Sequence, residues 1–244
     1  RLTREAEHHL RGKGQVRWCT RLSDEMDNLR SALEWARSRD VTRGLQMIGD
    51  LMWFWHNRGL FNEAIDWAGL LLAAEAQERA GAPISGERTL QRARALRSFN
   101  YADFYIQRIQ PAARSASLYE CVRLLRSLPE SAQPGTPARR ELGIALFYLI
   151  AEDQLWDTPS PEREEMLEIF TQEQEKFYLS EVYYYSAGVA TSQGKLRQAK
   201  TDIEKSLAIC IEIEDIDGMS SRTLSLGDFA LWAGDYQKAE YLYN

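Results

Sequence analysis

Between residues 183 and 239 one pattern is written twice. Tyr183, Ala187, Gly194, Leu196 and Ala199 recur as Thr223, Gly227, Gly234, Tyr236 and Ala239, each displaced by 40 residues. A fixed period of this size marks a repeating supersecondary unit, because one copy can bury its apolar face only against the next. The residue types say what the unit is. Ala187/Gly227 and Ala199/Ala239 are small enough for two helices to cross closely. Gly194 and Gly234 stand where a first helix stops and turns into a second. No segment sustains period-2 alternation, so the expected fold class is all-α with almost no strand.

The chain of 244 residues is 44% hydrophobic and 11% aromatic, enough for a continuous core. Its densest apolar run, Ala68 to Ala74, falls short of the roughly 18 residues that span a bilayer. A soluble, cytoplasmic protein without a membrane partner is expected. Cys19, Cys121 and Cys210 are odd in number and far apart, which fits reduced thiols and neither a disulfide framework nor a metal-ligand spacing. The formal charge of -6 hides an asymmetry: residues 1–140 hold 22 Lys/Arg and 16 Asp/Glu, residues 141–244 hold 8 and 20. The acidic runs read as solvated helix faces, with a docking surface for a basic partner as the other reading. Basic residues of the first half are interleaved with acids, so no nucleic-acid footprint is expected.

The chain opens at Arg1 without a methionine or a signal-like segment and closes on Tyr241-Leu242-Tyr243-Asn244, partway through a helix of a repeat. An excised fragment is expected, since a solenoid normally ends in a polar cap. Residues 2–11 read as a short helix ending at Gly12-Lys13-Gly14. Leu22, Met26, Leu29, Leu33 and Ala36 then share one helical face, with Ser23 as the expected cap. Asp24, Glu25 and Asp27 in the first turn and Arg37 and Arg39 in the last match the helix dipole. Trp35 is expected to extend the apolar face and pack against the next helix.

Residues 1–40 are thus read as N-terminal linker helices and 41–244 as a repeat array. The first pair is expected over 42–58 and 61–79, turning at Gly59, and is followed by the breaker-rich stretch Gly81 to Gly86. A second pair is expected over 87–107 and 111–128, where Arg108 and Ile109 replace the turn glycine and Pro111 opens the second helix. Then come 138–154 with 161–177, 180–193 with 196–213, and a truncated pair from about 218 to 244.

A helix-turn-helix unit at this spacing is similar to the tetratricopeptide (TPR) repeat, whose usual period is about 34 residues. A more specific resemblance is carried by Glu25-x-Asp27-Asn28-Leu29-Arg30-x-Ala32-Leu33-x-Trp35-Ala36, followed by Phe54-Trp55-x-x-x-Gly59 and Glu63-Ala64. Together these resemble the start of the TPR sensor region of bacterial STAND-class signal-transduction NTPases, a family that includes many large transcriptional regulators. It is carried by residues 15–70; residues 180–244 resemble TPR repeats generally. The resemblance implies an upstream nucleotide-binding domain and winged helix in the same chain, with Asn28, Arg30 and Trp35 at the interdomain joint. It also implies a right-handed superhelical solenoid whose first helices line a concave groove. There a peptide, protein or small-molecule inducer would bind and control activation or oligomerisation.

The residues themselves announce no chemistry. His8, His9 and Cys19 lack further ligands at a metal spacing. His56 has no Ser or Cys nucleophile near it in sequence, and Glu25/Asp27 and Glu164/Glu165 are ordinary helical carboxylates. No Gly-x-x-x-x-Gly-Lys-Ser/Thr, Gly-x-Ser-x-Gly or dinucleotide motif occurs. The chain is read as non-enzymatic, with no catalytic, metal or cofactor residue.

Counting from each turn glycine, the usual TPR groove positions are Gln46, Gly49, Trp53, His56 and Asn57; Glu181, Tyr184, Gly188, Thr191 and Ser192; and Ser221, Leu224, Asp228, Leu231 and Trp232. The candidate partner-binding residues are Gln46, Trp53, His56, Asn57, Glu181, Tyr184, Thr191, Asp228 and Trp232. Rigid aromatics supply contact area at low entropic cost, which favours the rings. Beside the sensor stand two other readings, a stand-alone adaptor that holds a peptide of a partner protein and a structural spacer.

Overall fold

The computed structural model describes residues 1–79 and 85–244. Of the breaker-rich stretch expected at Gly81 to Gly86, residues 81–84 lie outside the described residues. The described residues form fourteen α-helices and two short 3-10 turns, with no strand among them. None of these helices is long and apolar enough to cross a membrane. The chain divides into two compact units, residues 1–153 and 154–244.

The first unit begins with α1 (Leu2–Glu7), α2 (Gln15–Asp24) and α3 (Met26–Arg39). Leu22, Leu29, Leu33 and Ala36 are buried on the shared face that the sequence marks out. Ser23, however, does not cap a helix: it lies inside α2 and donates to the Cys19 carbonyl at 2.8 Å, while α3 starts from Glu25 without a side-chain cap. Trp35 does not extend the packed face either. It is 53% exposed.

The next expected helix is broken at Leu51 into α4 (Val41–Asp50) and α5 (Met52–Asn57), before α6 (Phe61–Arg79). Asp40 caps α4 by accepting from the Arg43 amide at 3.1 Å. Gly59 takes φ +64°, and the Leu60 amide reaches back to the Trp55 carbonyl at 2.9 Å, the hydrogen bond of a left-handed helix terminus. Then come α7 (Gly86–Ile106), α8 (Pro111–Arg126) and α9 (Pro137–Glu152). Pro111 opens α8 as expected, and Ser85 and Thr136 cap α7 and α9. The turn after α7 is made by Gln107, at φ 52°, while Asp103 accepts from the amides of Arg108 and Ile109.

Helix α7 packs against α4, α6, α8 and α9, which buries it on all sides. Three of its buried residues are arginines, and an unpaired buried charge costs several kcal/mol. Each is therefore met by carboxylates from a neighbouring helix. Arg92 pairs with Glu75 and Glu120, Arg94 with Glu7, Asp50 and Glu141, and Arg97 with Glu141. Burial pushes Glu141 up, but the charges of Arg97 and Arg94 overcome it and hold the carboxyl down at about 2. Burial also raises Asp50, against the charge of Arg94.

The second unit contains α10 (Pro161–Gln172), α11 (Lys176–Ser192), α12 (Leu196–Glu212), α13 (Ile216–Trp232) and α14 (Tyr236–Tyr243). Each packs on the next. Connections this short make successive helices antiparallel neighbours. Gln174, Gly194, Glu214 and Gly234 all have positive φ and stand 20 residues apart. The 40-residue period therefore consists of two 17-residue helices, each closed by a three-residue turn. Sequence reading finds the two glycine turns and misses the turns at Gln174 and Glu214 that alternate with them. For this reason α10 stops at Gln172, short of the expected 177, and α11 starts at Lys176, ahead of the expected 180. Ala187, Ala199 and Ala239 are buried at crossings. A Cβ on Gly227 would lie 2.5 Å from Cε1 of Tyr243.

Candidate functional site

An aromatic-lined feature lies within the second unit, between α11 and α13. It is a pocket of about 430 Å³ with Ile203 of α12 contributing to its lining. Tyr184, Tyr185, Ala187, Gly188, Val189 and Thr191 come from α11; Ser225, Asp228, Phe229 and Trp232 come from α13; Trp156 comes from the segment before α10. Tyr184, Gly188 and Thr191 follow the spacing of one helical face, and Ser225, Asp228, Phe229 and Trp232 that of the other. The small residues Ala187 and Gly188 leave room between them.

The walls are aromatic. Trp156 and Tyr185 stack with centroids 4.9 Å apart, and Phe229 and Trp232 meet edge to face at 5.2 Å. Trp232 is nevertheless 57% exposed. The hydroxyls of Thr191 and Ser225 are spent on the helix, donating to Ala187 at 2.8 Å and Ser221 at 3.0 Å. Asp228 is the only formally charged side chain in the lining. Its Oδ1 accepts from the Tyr243 hydroxyl at 2.6 Å, a bond that raises the Tyr243 pKa; among the described residues its Oδ2 has no donor.

One wall of the site is braced from behind. The Arg222 guanidinium lies 4.1 Å from the centre of the Tyr184 ring, pairs with Glu181, and donates to Ser206 at 3.1 Å and Ser221 at 2.7 Å. Glu181 is thus occupied in holding Arg222. Beneath, Ser180, Ser206 and Cys210 form a buried polar cluster, and burial pushes the Cys210 thiol up.

The candidates of the first unit do not line this pocket. Trp53 and His56 belong to an aromatic cluster with Phe61, Tyr101 and Tyr105, in which His56 Nδ1 and the Tyr101 hydroxyl are 2.8 Å apart. Asn57 is taken up by the N-terminal segment: its Nδ2 donates to the Leu10 carbonyl at 2.8 Å and approaches the Cys19 sulfur at 3.4 Å. Gly49 is buried against α7, its missing Cβ falling 2.9 Å from Cβ of Arg94. Gln46 and Trp35 line one open depression together with Leu29, Ala32 and Arg43. Arg30 makes a two-pronged pair with Glu63, at 2.7 and 2.9 Å, and a further contact to Asp27, while Asn28 donates to Glu25 at 2.7 Å.

Of the nine candidate partner-binding residues, the structure brings Tyr184, Thr191, Asp228 and Trp232 to one place. Sequence reasoning misses Trp156, Tyr185 and Phe229. Phe229 follows a named position on the same helix, and a wider face would have included it. Trp156 has no signal, since it arrives from a connection. No group of three His, Cys, Asp or Glu that could hold a metal ion occurs among the described residues. Neither protein-family models nor the sequences of characterised proteins gave a match to this chain.

Proposed function

We propose that this chain is a non-catalytic, TPR-like ligand-binding module, the sensor of a larger STAND-type signal-transduction NTPase, and that α11 and α13 form part of its concave groove. The observation that carries this reading is the aromatic pocket. Residues that the repeat register assigns to the groove, Tyr184, Thr191, Asp228 and Trp232, meet around one cavity whose size suits a side chain or a small ligand. The regular recurrence of 17-residue helices on a 20-residue turn spacing supports a solenoid built from such units; its right-handed sense is part of the proposal, taken from the resemblance to TPR arrays.

The aromatic lining supports reading the pocket as a binding site. To act as a sensor the ligand must favour one state of the parent, since equal affinity for both shifts nothing. The exposed Trp35 on α3 supplies an apolar contact for a preceding domain, next to Asn28 and Arg30. Reading the coding sequence upstream of Arg1 tests the parentage. A phosphate-binding Gly-x-x-x-x-Gly-Lys-Ser/Thr loop followed by a winged-helix pattern supports the sensor; a start codon just before Arg1 refutes it and leaves the stand-alone adaptor.

A further inference from the structure

We infer that the pocket between α11 and α13 takes an arginine side chain presented by a peptide segment of a partner. This rests on the reading of the pocket as a groove site and adds the chemistry of what fills it.

Three observations converge. The first is the lining: several aromatic rings, no lysine or arginine, and a single carboxylate, Asp228, whose Oδ2 has no donor among the described residues. Ring faces attract cations through their quadrupole, and the attraction grows as water is excluded. The second is the surrounding field. The unit of residues 154–244 carries 17 Asp/Glu against 8 Lys/Arg, so a cation is drawn to it and an anion is repelled. Asp157, next to Trp156 in sequence, adds a carboxylate to this unit and accepts from Gln193 at 3.3 Å.

The third observation selects among cations. Thr191 and Ser225 donate their hydroxyl protons to their own helix, and Asp228 is the one formal negative charge the lining offers a cation. A compact ammonium meets that carboxylate as a point charge and has no planar face to lay on the rings. A guanidinium is more weakly hydrated, is planar, and stacks on rings while one edge faces a carboxylate. The same unit already uses this contact, with the Arg222 guanidinium over Tyr184. That arginine is committed to Glu181 and leaves Asp228 to the incoming group.

The test uses the full chain labelled with ¹⁵N, reading the indole N–H resonances of Trp156 and Trp232, assigned through Trp156→Phe and Trp232→Phe. The probes are N-acetyl-arginine methylamide, the citrulline and lysine analogues, and tetramethylammonium chloride. The arginine probe is expected to shift both indoles saturably and to bind about five- to tenfold more tightly than its uncharged citrulline isostere. Asp228→Asn should erase that preference, whereas Tyr243→Phe, which frees the carboxylate of its internal partner, should keep it. Equal shifts by arginine and citrulline would overturn the cation assignment while leaving the pocket as a peptide site. Tighter binding of lysine or tetramethylammonium would overturn the choice of arginine. Silence of both indoles with every probe would overturn the inference outright.

Discussion

Replacing Glu141 by Gln tests how the first unit tolerates three arginines inside one helix. The carboxylate accepts from Arg94 Nε and Arg97 Nε, both at 3.0 Å, and is 4% exposed. The amide keeps the shape, loses the charge and turns one acceptor into a donor facing guanidinium groups. Removing one partner from a buried ion cluster costs about 3–5 kcal/mol. The depressed carboxyl corresponds to an energy of the same order. The distance between the ordinary glutamate pKa and the folded value of about 2 corresponds to about 3 kcal/mol of linkage.

The sign follows from the depressed folded value. The stabilisation is fully present above the ordinary glutamate pKa and is lost as pH falls through it toward 2. Urea unfolding followed by tryptophan fluorescence is the assay, in a Trp156→Phe/Trp232→Phe background that leaves all remaining tryptophans in the first unit. Glu141→Gln should lower its stability by about 3 kcal/mol at pH 7, and the gap should narrow below pH 4. A loss under about 1 kcal/mol at pH 7, or a gap unchanged at pH 3, would refute the claim that this carboxylate is held ionised by Arg94 and Arg97.

Other consequences are more local. Gly194→Ala places a Cβ on a residue at φ +73° and should cost about 1 kcal/mol in thermal or urea unfolding, while Glu214→Gly at φ 56° should be neutral or stabilising. Burial pushes the Cys121 thiol up to about 12 and raises Cys210, so iodoacetamide at pH 8 should leave both unmodified in the native protein and alkylate both in urea, as read by peptide mass spectrometry. Asp228→Asn removes the carboxylate that holds the Tyr243 proton, and the Tyr243 pKa should fall in an NMR titration of labelled tyrosine.

The fold class was legible because helical spacing and turn glycines leave local marks. Gly59, Gly194 and Gly234 each take the left-handed conformation that a side chain resists, so each is visible in sequence. Gln107, Gln174 and Glu214 take it too, with hydrogen bonds at the helix end compensating the strain, and nothing in their identity betrays it. The break at Leu51 has neither Gly nor Pro at the residue itself. Helix α7 was the least legible element in its packing. Its arginines look like a solvated face until helices distant in sequence supply Glu7, Asp50, Glu75 and Glu141.

The site divides the same way. Tyr184, Thr191, Asp228 and Trp232 follow from counting back from a turn, a local rule. Trp156 depends on where a connection runs, and the use of Asn57 on the N-terminal segment depends on a contact 47 residues away.

The most direct measurement of the central claim is a selection of displayed random peptides on the full chain, with each enriched peptide then titrated against Trp232→Ala and Trp35→Ala. Enriched peptides should lose affinity by at least about tenfold on Trp232→Ala, as truncation of an aromatic anchor does, and should be indifferent to removal of the exposed tryptophan on α3. Peptides that bind both variants as they bind the wild type would contradict the assignment of the pocket between α11 and α13 as the ligand site, and no enrichment at all would contradict its use for peptides.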